Sequence, residues 1–273
     1  MTRNGRLAWG GAAIATAALA WIVLRERRSD ASANYPPLDT PKPLAENVWI
    51  VDSGPINTSG LSLPIRMTVV RLANGELLLH SPTAWSPELA AALATLGDVR
   101  HLIAPNVAHW TLVAGWQRAF PDAITWGAPG LRARGAVKRA RLRIDRDLTA
   151  GAPPEWAGEI AQGVIRGAAG FREVWFFHHA SRTLLLTDLV QDMDADRLPP
   201  LTALVARASG GADGTTPRYL RPVLTAGDGD AHRTFAALVA LEPRQVVFAH
   251  GRPFVTDATA RLRDALQWAG LPD

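Results

Sequence analysis

Apolar and polar residues alternate along residues 44–273 with two different periods, and these periods predict a mixture of strands and helices. Short apolar or alternating runs predict β-strands at 47–53, 66–72, 76–81, 100–104, 123–126, 173–179, 182–188 and 245–250. Runs with a helical period predict helices at 87–96, 110–119, 231–241 and 256–268. Because hairpins alternate with helices in two sets, we expect two β-sheets flanked by helices in place of one doubly wound parallel sheet.

Turn and cap residues indicate where several of these elements begin and end. The pair Asn74-Gly75 predicts a two-residue turn between strands 66–72 and 76–81. Ser86 has the position of an N-cap before helix 87–96, Pro87 occupies its first turn, and Gly97 follows its end. The glycine-rich segment 208–216 is predicted to be a loop.

The amino terminus contains a long uncharged segment, Leu7 to Leu24. As a helix it would extend roughly 27 Å, close to the hydrocarbon thickness of a bilayer, and tryptophans lie near both of its ends. We therefore expect residues 1–28 to form a single-pass membrane anchor. The flanking charges are nearly balanced, so the side on which the soluble domain lies is open.

Two alternatives to an uncleaved anchor remain open. Residues 31–33 read Ala-Ser-Ala, which resembles a signal-peptidase site, so the segment could be a cleaved secretory signal. It could also be a helix that does not insert. Residues 29–43 contain four prolines and predict an extended linker, which leaves residues 44–273 as one globular domain.

Composition limits the chemistry that this domain can use. The 273 residues include no cysteine, which excludes disulfides, iron–sulfur clusters, thiolate zinc sites and cysteine nucleophiles. Any metal must be bound by His, Asp or Glu. The net charge of +4 is carried mainly by arginine, and the basic stretch 132–146 has no interleaved aromatic residues. We interpret this stretch as a solvated face and do not expect nucleic acid as a partner.

Five segments resemble, in order and spacing, the landmarks of the metallo-β-lactamase superfamily: PLAENVWIVDSG, RMTVVRLANGELLLHSP, HLIAPNVAHWTLVAGW, SRTLLLTDLV and VVFAHGRPF. The resemblance covers residues 44–260 and is closest to a branch with a degenerate metal-binding motif. It implies an α/β (α+β) domain, a four-layer αββα sandwich with the site along one edge of both sheets. The predicted transmembrane helix would precede this sandwich.

The same resemblance assigns candidate metal ligands. In the superfamily an H-x-H-x-D-H loop follows a strand, and a later aspartate and a final histidine complete the site. Here the loop retains only its second histidine, His109, while Asp188 matches the aspartate and His250 the final histidine. A dinuclear zinc site is therefore not encoded. His109, Asp188 and His250 still meet the minimum of three protein ligands for one zinc, iron or manganese ion.

Other residues are candidates for supporting roles. His80 ends a predicted strand near the site and is either a fourth ligand or a partner of a ligand. Asn106 and Arg66 are candidates for binding a ligand or a substrate. The competing interpretation is structural: His109 packs at the start of its helix, Asp188 accepts backbone N–H groups, and His250 pins the turn that follows it.

Two functions of different classes remain open for this domain. In the first, one metal ion activates water in a membrane-tethered hydrolase whose small-molecule substrate the sequence does not identify. In the second, the domain is a non-catalytic module that binds a small molecule or a protein partner. Whether the protein is an enzyme stays open at this point.

The remaining histidines are not predicted to join the site. His178 and His179 lie beside the turn of a predicted hairpin, roughly 20 Å from Asp188 at 3.3 Å per residue. Pairing of strands 173–179 and 182–188 in this hairpin places Glu173 or Arg172 across from Asp188, where a salt bridge could neutralise the aspartate without a metal. His101 is expected to be a buried residue of its strand.

Two acidic clusters are interpreted as structural. Asp192, Asp194 and Asp196 resemble the start of a calcium loop but lack its glycine and its final glutamate, so we expect a solvated turn. The cluster of Asp228, Asp230 and His232 precedes a predicted helix and is expected to cap it. The sequence contains no G-x-S-x-G elbow and no phosphate-binding glycine loop.

Overall fold

A computed structural model describes residues 35–58, 60–227 and 231–271. Its first sheet has seven strands that follow one another in chain order. Strands β1 to β4 pair antiparallel, and β4 to β7 pair parallel. The strands are β1 (Lys42–Ala45), β2 (Val48–Thr58), β3 (Leu61–Arg71), β4 (Glu76–His80), β5 (Asp98–Ala104), β6 (Ile124–Gly127) and β7 (Arg146–Asp147).

The second sheet has four strands in the order β11-β10-β9-β8. Strands β8, β9 and β10 pair antiparallel, whereas β10 and β11 run parallel and reach the same edge of the sheet. The strands are β8 (Ile160–Arg166), β9 (Arg172–His178), β10 (Thr183–Leu185) and β11 (Gln245–Val247).

The described residues also form seven α-helices. They are α1 (Pro87–Ala94), α2 (Val113–Ala119), α3 (Gly135–Arg139), α4 (Pro200–Ser209), α5 (Arg221–Thr225), α6 (Ala231–Ala240) and α7 (Ala258–Leu266).

Alternating side chains of the strands build three apolar layers. Val69 and Leu79 face the helices α1 and α2, whereas their neighbours Val70 and Leu78 face the second sheet, as the two-residue period of a strand requires. Phe176 of β9 closes the layer between the sheets. On the outer face of the second sheet, helices α6 and α7 pack over β10 and β11. The expected αββα sandwich is therefore confirmed.

Most predicted elements are present, with shifted ends. Helix α1 begins as expected, since the Ser86 hydroxyl accepts the N–H of Leu89 at 3.1 Å. The predicted linker 29–43 ends too late, because Lys42–Ala45 pairs with β2 as strand β1. The predicted strand 182–188 is too long, because Glu173 takes the N–H groups that would continue its ladder. Strand β8 and helices α3, α4 and α5 were not predicted.

The acidic and histidine clusters divide between confirmation and correction. His101 is buried as expected and bonds Glu76. The expectation of a solvated turn is wrong for Asp192, which is buried and pairs with Arg252 and Arg261 at 3.3 and 3.2 Å. Asp228 and Asp230 lie outside the described residues, so their predicted capping role stays a prediction.

The predicted membrane anchor at residues 7–24 and the alternative cleavage site at 31–33 also lie outside the described residues. Across the described part of the chain, from residue 35 onward, no helix has the length and apolarity needed to cross a bilayer.

Candidate metal centre

Three loops that follow strand ends bring His109, Asp188 and His250 together. His109 follows β5 of the first sheet, while Asp188 and His250 follow the parallel strands β10 and β11 of the second. One donor atom of each residue lies within 4.8 Å of the other two. Asp188 Oδ1 is 3.2 Å from His109 Nε2 and 3.4 Å from His250 Nε2.

The tautomer of His250 is fixed by a backbone carbonyl. His250 Nδ1 lies 2.7 Å from the Pro64 carbonyl, which only accepts, so Nδ1 carries the hydrogen and donates it. In the neutral ring, Nε2 therefore presents a lone pair toward the Asp188 carboxylate. Two lone pairs at 3.4 Å repel each other unless a proton or a metal cation lies between them.

Asp188 is held from two sides. Its Oδ2 accepts the Asn106 carboxamide at 2.5 Å, which leaves Oδ1 for both histidines. The fully buried Glu173 carboxylate accepts the backbone N–H groups of Thr187, Asp188 and Leu189 at 2.7, 2.9 and 3.4 Å. The backbone after β10 and the side chain of Asp188 are both fixed, so Asp188 needs little reorganisation to act as a ligand.

His109 is oriented by the turn that carries it. Asn106 Oδ1 accepts the N–H groups of Ala108 and His109, both at 2.8 Å, and His109 Nδ1 lies 2.8 Å from the Ser81 hydroxyl. Residues 109–112 form turns, in which the Val113 N–H bonds the Trp110 carbonyl, so helix α2 begins at Val113 and not at the predicted residue 110. His109 therefore lies on a fixed turn that leaves Nε2 pointing at Asp188.

Burial and nearby charged groups set the ionisation of Asp188, His250 and Glu173. Burial alone would raise the pKa of Asp188, but the charges and hydrogen bonds of His109 and His250 hold it well below its usual value. Burial would lower the pKa of His250, yet Asp188 raises it above the ordinary value. Burial, and then the nearby Asp188 charge, raises the pKa of Glu173 to about 7.

The distances from Asp188 Oδ1 to the two histidines suit a single tetrahedral metal ion. Two ligands that lie about 2.0–2.1 Å from a zinc ion at the tetrahedral angle are about 3.4 Å apart, and the two measured separations to Asp188 Oδ1 are 3.2 and 3.4 Å. Three protein ligands leave one position open for water. The donor set, two imidazoles and one carboxylate, suits zinc, iron or manganese.

A family model for a domain of unknown function, DUF4336, matches residues 45–216, more than half of the chain. The chain belongs to the DUF4336 family. The match includes His109 and Asp188 but ends before His250. No protein with a curated function matches the sequence of this DUF4336 chain.

Solved structures show the same fold. A metallo-β-lactamase from Pontibacter korlensis is 14% identical, with 83% of this chain and 98% of that chain covered and a TM-score of 0.56. One from Hirschia baltica is 13% identical over 85% and 98%, with a TM-score of 0.53. FIM-1 from Pseudomonas aeruginosa, in its mono-zinc form, is 13% identical over 85% and 96%, with a TM-score of 0.50. The DUF4336 chain therefore has the metallo-β-lactamase fold.

A cleft of about 530 Å³ opens over the three candidate ligands of the DUF4336 domain. Apolar side chains from the β2–β3 hairpin and from the loop around Trp110 form most of its wall. Tyr219 and Gln191 add polar groups. Among the described residues that line the cleft, the exposed Arg134 is the one charged side chain besides the three candidate ligands. The cleft suits a molecule with an apolar body.

The structure does not bring His80 or Arg66 into the group. His80 is buried against Phe176 and is not among the three clustered donors, so its predicted role as a fourth ligand finds no support. Burial and the nearby His109 lower the pKa of His80 to about 3, so it is neutral. Arg66 was predicted to bind substrate, but it is buried and pairs with Asp52 at 2.6 Å. Its guanidinium also donates to the carbonyl of Gly251 and thereby braces the turn after His250.

The other predictions at the site have mixed outcomes. Asn106 bonds a candidate ligand, Asp188, as expected for a supporting residue. Glu173 does lie across from Asp188, but it binds backbone N–H groups and is not an ion-pair partner. His178 bonds Ser181 at the turn of its hairpin, remote from the three donors as predicted.

Sequence reasoning missed two supporting groups, Ser81 and the Pro64 carbonyl. The Pro64 carbonyl carries no signal in the sequence, because a backbone carbonyl has no residue-specific pattern. Ser81 follows β4 with a left-handed backbone, φ of 55°, and its hydroxyl contacts His109 from there.

Proposed function

We propose that this protein is a metal-dependent hydrolase with a mononuclear site formed by His109, Asp188 and His250. The observation that carries the proposal is the convergence of these three donors, with Nε2 of His250 directed at the Asp188 carboxylate. A bound divalent ion would lower the pKa of its water and polarise a carbonyl or phosphoryl oxygen.

The residues of the chain have separate tasks in this proposal. His109 and His250 present Nε2 as neutral ligands, and their opposite nitrogens are held by Ser81 and Pro64. Asp188 contributes Oδ1 while Asn106 holds Oδ2. The apolar cleft wall binds the body of the substrate and excludes water from its reacting bond, and Arg134 at the exposed wall favours a substrate with a negative group.

Elemental analysis of the purified full chain tests the metal site. We expect about one equivalent of zinc, iron or manganese in the wild type, and loss of the metal in His109→Ala and His250→Ala. The matched control is His179→Ala, an exposed histidine near the hairpin turn, which should retain the metal. Ester and phosphodiester hydrolysis that depends on the same two histidines would support the enzymatic function.

A metal-free wild type, even after supplementation, would contradict this proposal. It would favour the second function, a non-catalytic module in which the same residues stabilise the fold. One observation favours that function: Val107, Ala108, Trp110, Thr111 and Leu112 occupy the other positions of the loop, and none of them is a metal ligand.

We also propose that residues 7–24 tether the domain to a membrane. Support comes from the uncharged length of this segment and from the tryptophans near its ends. The full chain should float with lipid vesicles after an alkaline carbonate wash, whereas a chain that stays in the dense fraction would contradict the tether.

A further inference from the structure

Helix α4 exposes apolar residues on the side that faces away from the domain. Leu201, Leu204 and Val205 are 53%, 64% and 38% exposed, and with the exposed Ala208 they follow the i, i+3, i+4, i+7 spacing of one helix face. The opposite face is buried through Thr202, Ala203 and Ala206. The apolar face, defined as Leu201, Leu204, Val205 and Ala208, is therefore additional to the face that anchors α4.

The described chain begins beside this helix. The Tyr35 hydroxyl accepts the N–H of Asp194 at 3.1 Å, and the Arg197 guanidinium lies 5.7 Å from the centre of the Tyr35 ring. Lys42 also donates to the Tyr35 carbonyl, which holds this part of the chain on the domain. Arg197 precedes the first residue of α4 by only three positions. The chain thus joins the domain within a few residues of the apolar face.

The length of chain before Tyr35 limits how far the domain can lie from the proposed tether. Ten residues, 25–34, separate Leu24 from Tyr35, and even fully extended they span at most about 36 Å. Because Tyr35 is fixed beside the start of α4, the tether would keep the apolar face within reach of the bilayer surface. Water-exposed apolar residues in that place gain free energy when they enter the interface.

Charges around the apolar face are balanced. The exposed arginines near α4 each have an acidic partner: Arg197 with Asp194 at 4.0 Å, Arg207 with Asp196 at 2.7 Å and Arg218 with Asp213 at 3.8 Å. These three arginines of the described residues are therefore neutralised in pairs, and burial of apolar side chains would drive the contact.

We propose that the apolar face of α4 docks on the lipid surface next to the membrane tether. This inference rests on the tether included in the proposed function, and it adds a second contact that orients the domain. The Ser62 N–H donates to the Thr202 hydroxyl at 3.2 Å, so α4 is joined to the β2–β3 hairpin that forms part of the cleft wall. Docking would therefore hold the cleft beside the bilayer.

The absence of cysteine permits a test with a single fluorescent label. A polarity-sensitive fluorophore is attached to Leu204→Cys in the full chain, which is reconstituted in phosphatidylcholine vesicles. The matched control is Ala91→Cys, an exposed position of α1 in the opposite outer layer of the sandwich. Nitroxide lipids measure contact with the bilayer, and iodide measures exposure to water.

We expect at least twofold stronger quenching by nitroxide lipids at position 204 than at position 91, and weaker quenching by iodide. The difference should persist at high salt and without anionic lipid, since the contact is apolar. Vesicle-bound chain with equal quenching at both positions would overturn the docking and leave the tether intact. Shielding from iodide without quenching by lipid would also overturn it, because another protein copy would then cover the face. A chain that does not float with vesicles overturns both the tether and the docking, while the metal content remains an independent measure of the proposed site.

Discussion

One carboxamide joins two of the three candidate ligands. The fully buried Asn106 donates to Asp188 and accepts two N–H groups of the turn that carries His109. A single side chain therefore sets the distance between a ligand of the first sheet and a ligand of the second. Supporting residues of this kind determine metal affinity without contacting the metal.

Replacing Asn106 by alanine should weaken metal binding about 10–100-fold, because Asp188 and the His109 turn lose their shared support. Titration against a competing chelator measures the change. The control is Asn74→Ala, which removes a similar contact to a backbone N–H, that of Glu76, at an exposed turn. Equal affinities of the Asn106 variant and the wild type would show that this carboxamide does not position the ligands.

Glu173 and His250 should each make the metal-free protein less stable as the pH rises toward neutrality, whereas the buried His80, with its lowered pKa, acts in the opposite direction. Glu173 has a folded pKa raised to about 7, and the folded pKa of His250 is also raised. Each raised group binds its proton more tightly in the folded state, so its stabilisation is complete below the unfolded pKa and is lost as the pH rises through the folded pKa.

For Glu173 this window runs from about pH 4.5 to about pH 7. Thermal melting of the chelator-treated chain across that range gives the slope. The variant Glu173→Gln, which cannot titrate there, should lose this contribution, so its stability should rise more steeply with pH than that of the wild type, since His80 is present in both chains. Equal pH slopes in the wild type and in Glu173→Gln would contradict the assignment.

At the scale of the elements, the turn after β11 has the tightest steric requirement near the site. Gly251 adopts φ of +103°, and a Cβ at this position would lie 2.1 Å from the carbonyl carbon of Asp192. Gly251 also accepts a hydrogen bond from the buried Arg66. The turn thus fixes His250 between a backbone contact on one side and Pro64 on the other.

We expect Gly251→Ala to displace His250 and to abolish metal binding. It should cost about 1–3 kcal/mol more than Gly75→Ala, because Gly75 also has a positive φ but open space around its Cα. Chemical denaturation of both variants measures the difference. Similar losses of stability in the two variants would mean that strain in φ alone accounts for the effect.

Elements with strong local patterns were predicted well, and those without were missed. Helix α1 carries its own cap at Ser86, and the β3–β4 hairpin carries Asn74-Gly75. Helix α4 exposes its larger apolar residues and buries Thr202, Ala203 and Ala206, so its apolar period does not report which face packs on the domain. The end of β10 is set by Glu173 of a neighbouring strand, which no local window can show.

At the scale of the whole molecule, the proposed metal would join the two sheets, because His109 belongs to the first and the other two ligands to the second. Zinc should therefore raise the midpoint of thermal unfolding, by the equivalent of about 2.7 kcal/mol at a hundredfold excess over the dissociation constant. Differential scanning calorimetry measures the shift. The variant His179→Ala should show the same shift, and His250→Ala should show none. An equal shift in His250→Ala would place the binding elsewhere.

The periods of the sequence by itself indicated two sheets flanked by helices, since they decide which side chains are buried. The resemblance indicated the αββα order and the residues His109, Asp188 and His250. Only the tertiary structure decided how these three residues meet and which groups hold them. Their supports are Asn106, Glu173, Ser81 and the Pro64 carbonyl. Periodicity reports the burial of one residue relative to its neighbours along the chain. The contacts of His109 with Ser81, of Asp188 with Asn106 and of His250 with Pro64 join residues 28, 82 and 186 positions apart, and such distances are set by the packing of the sheets.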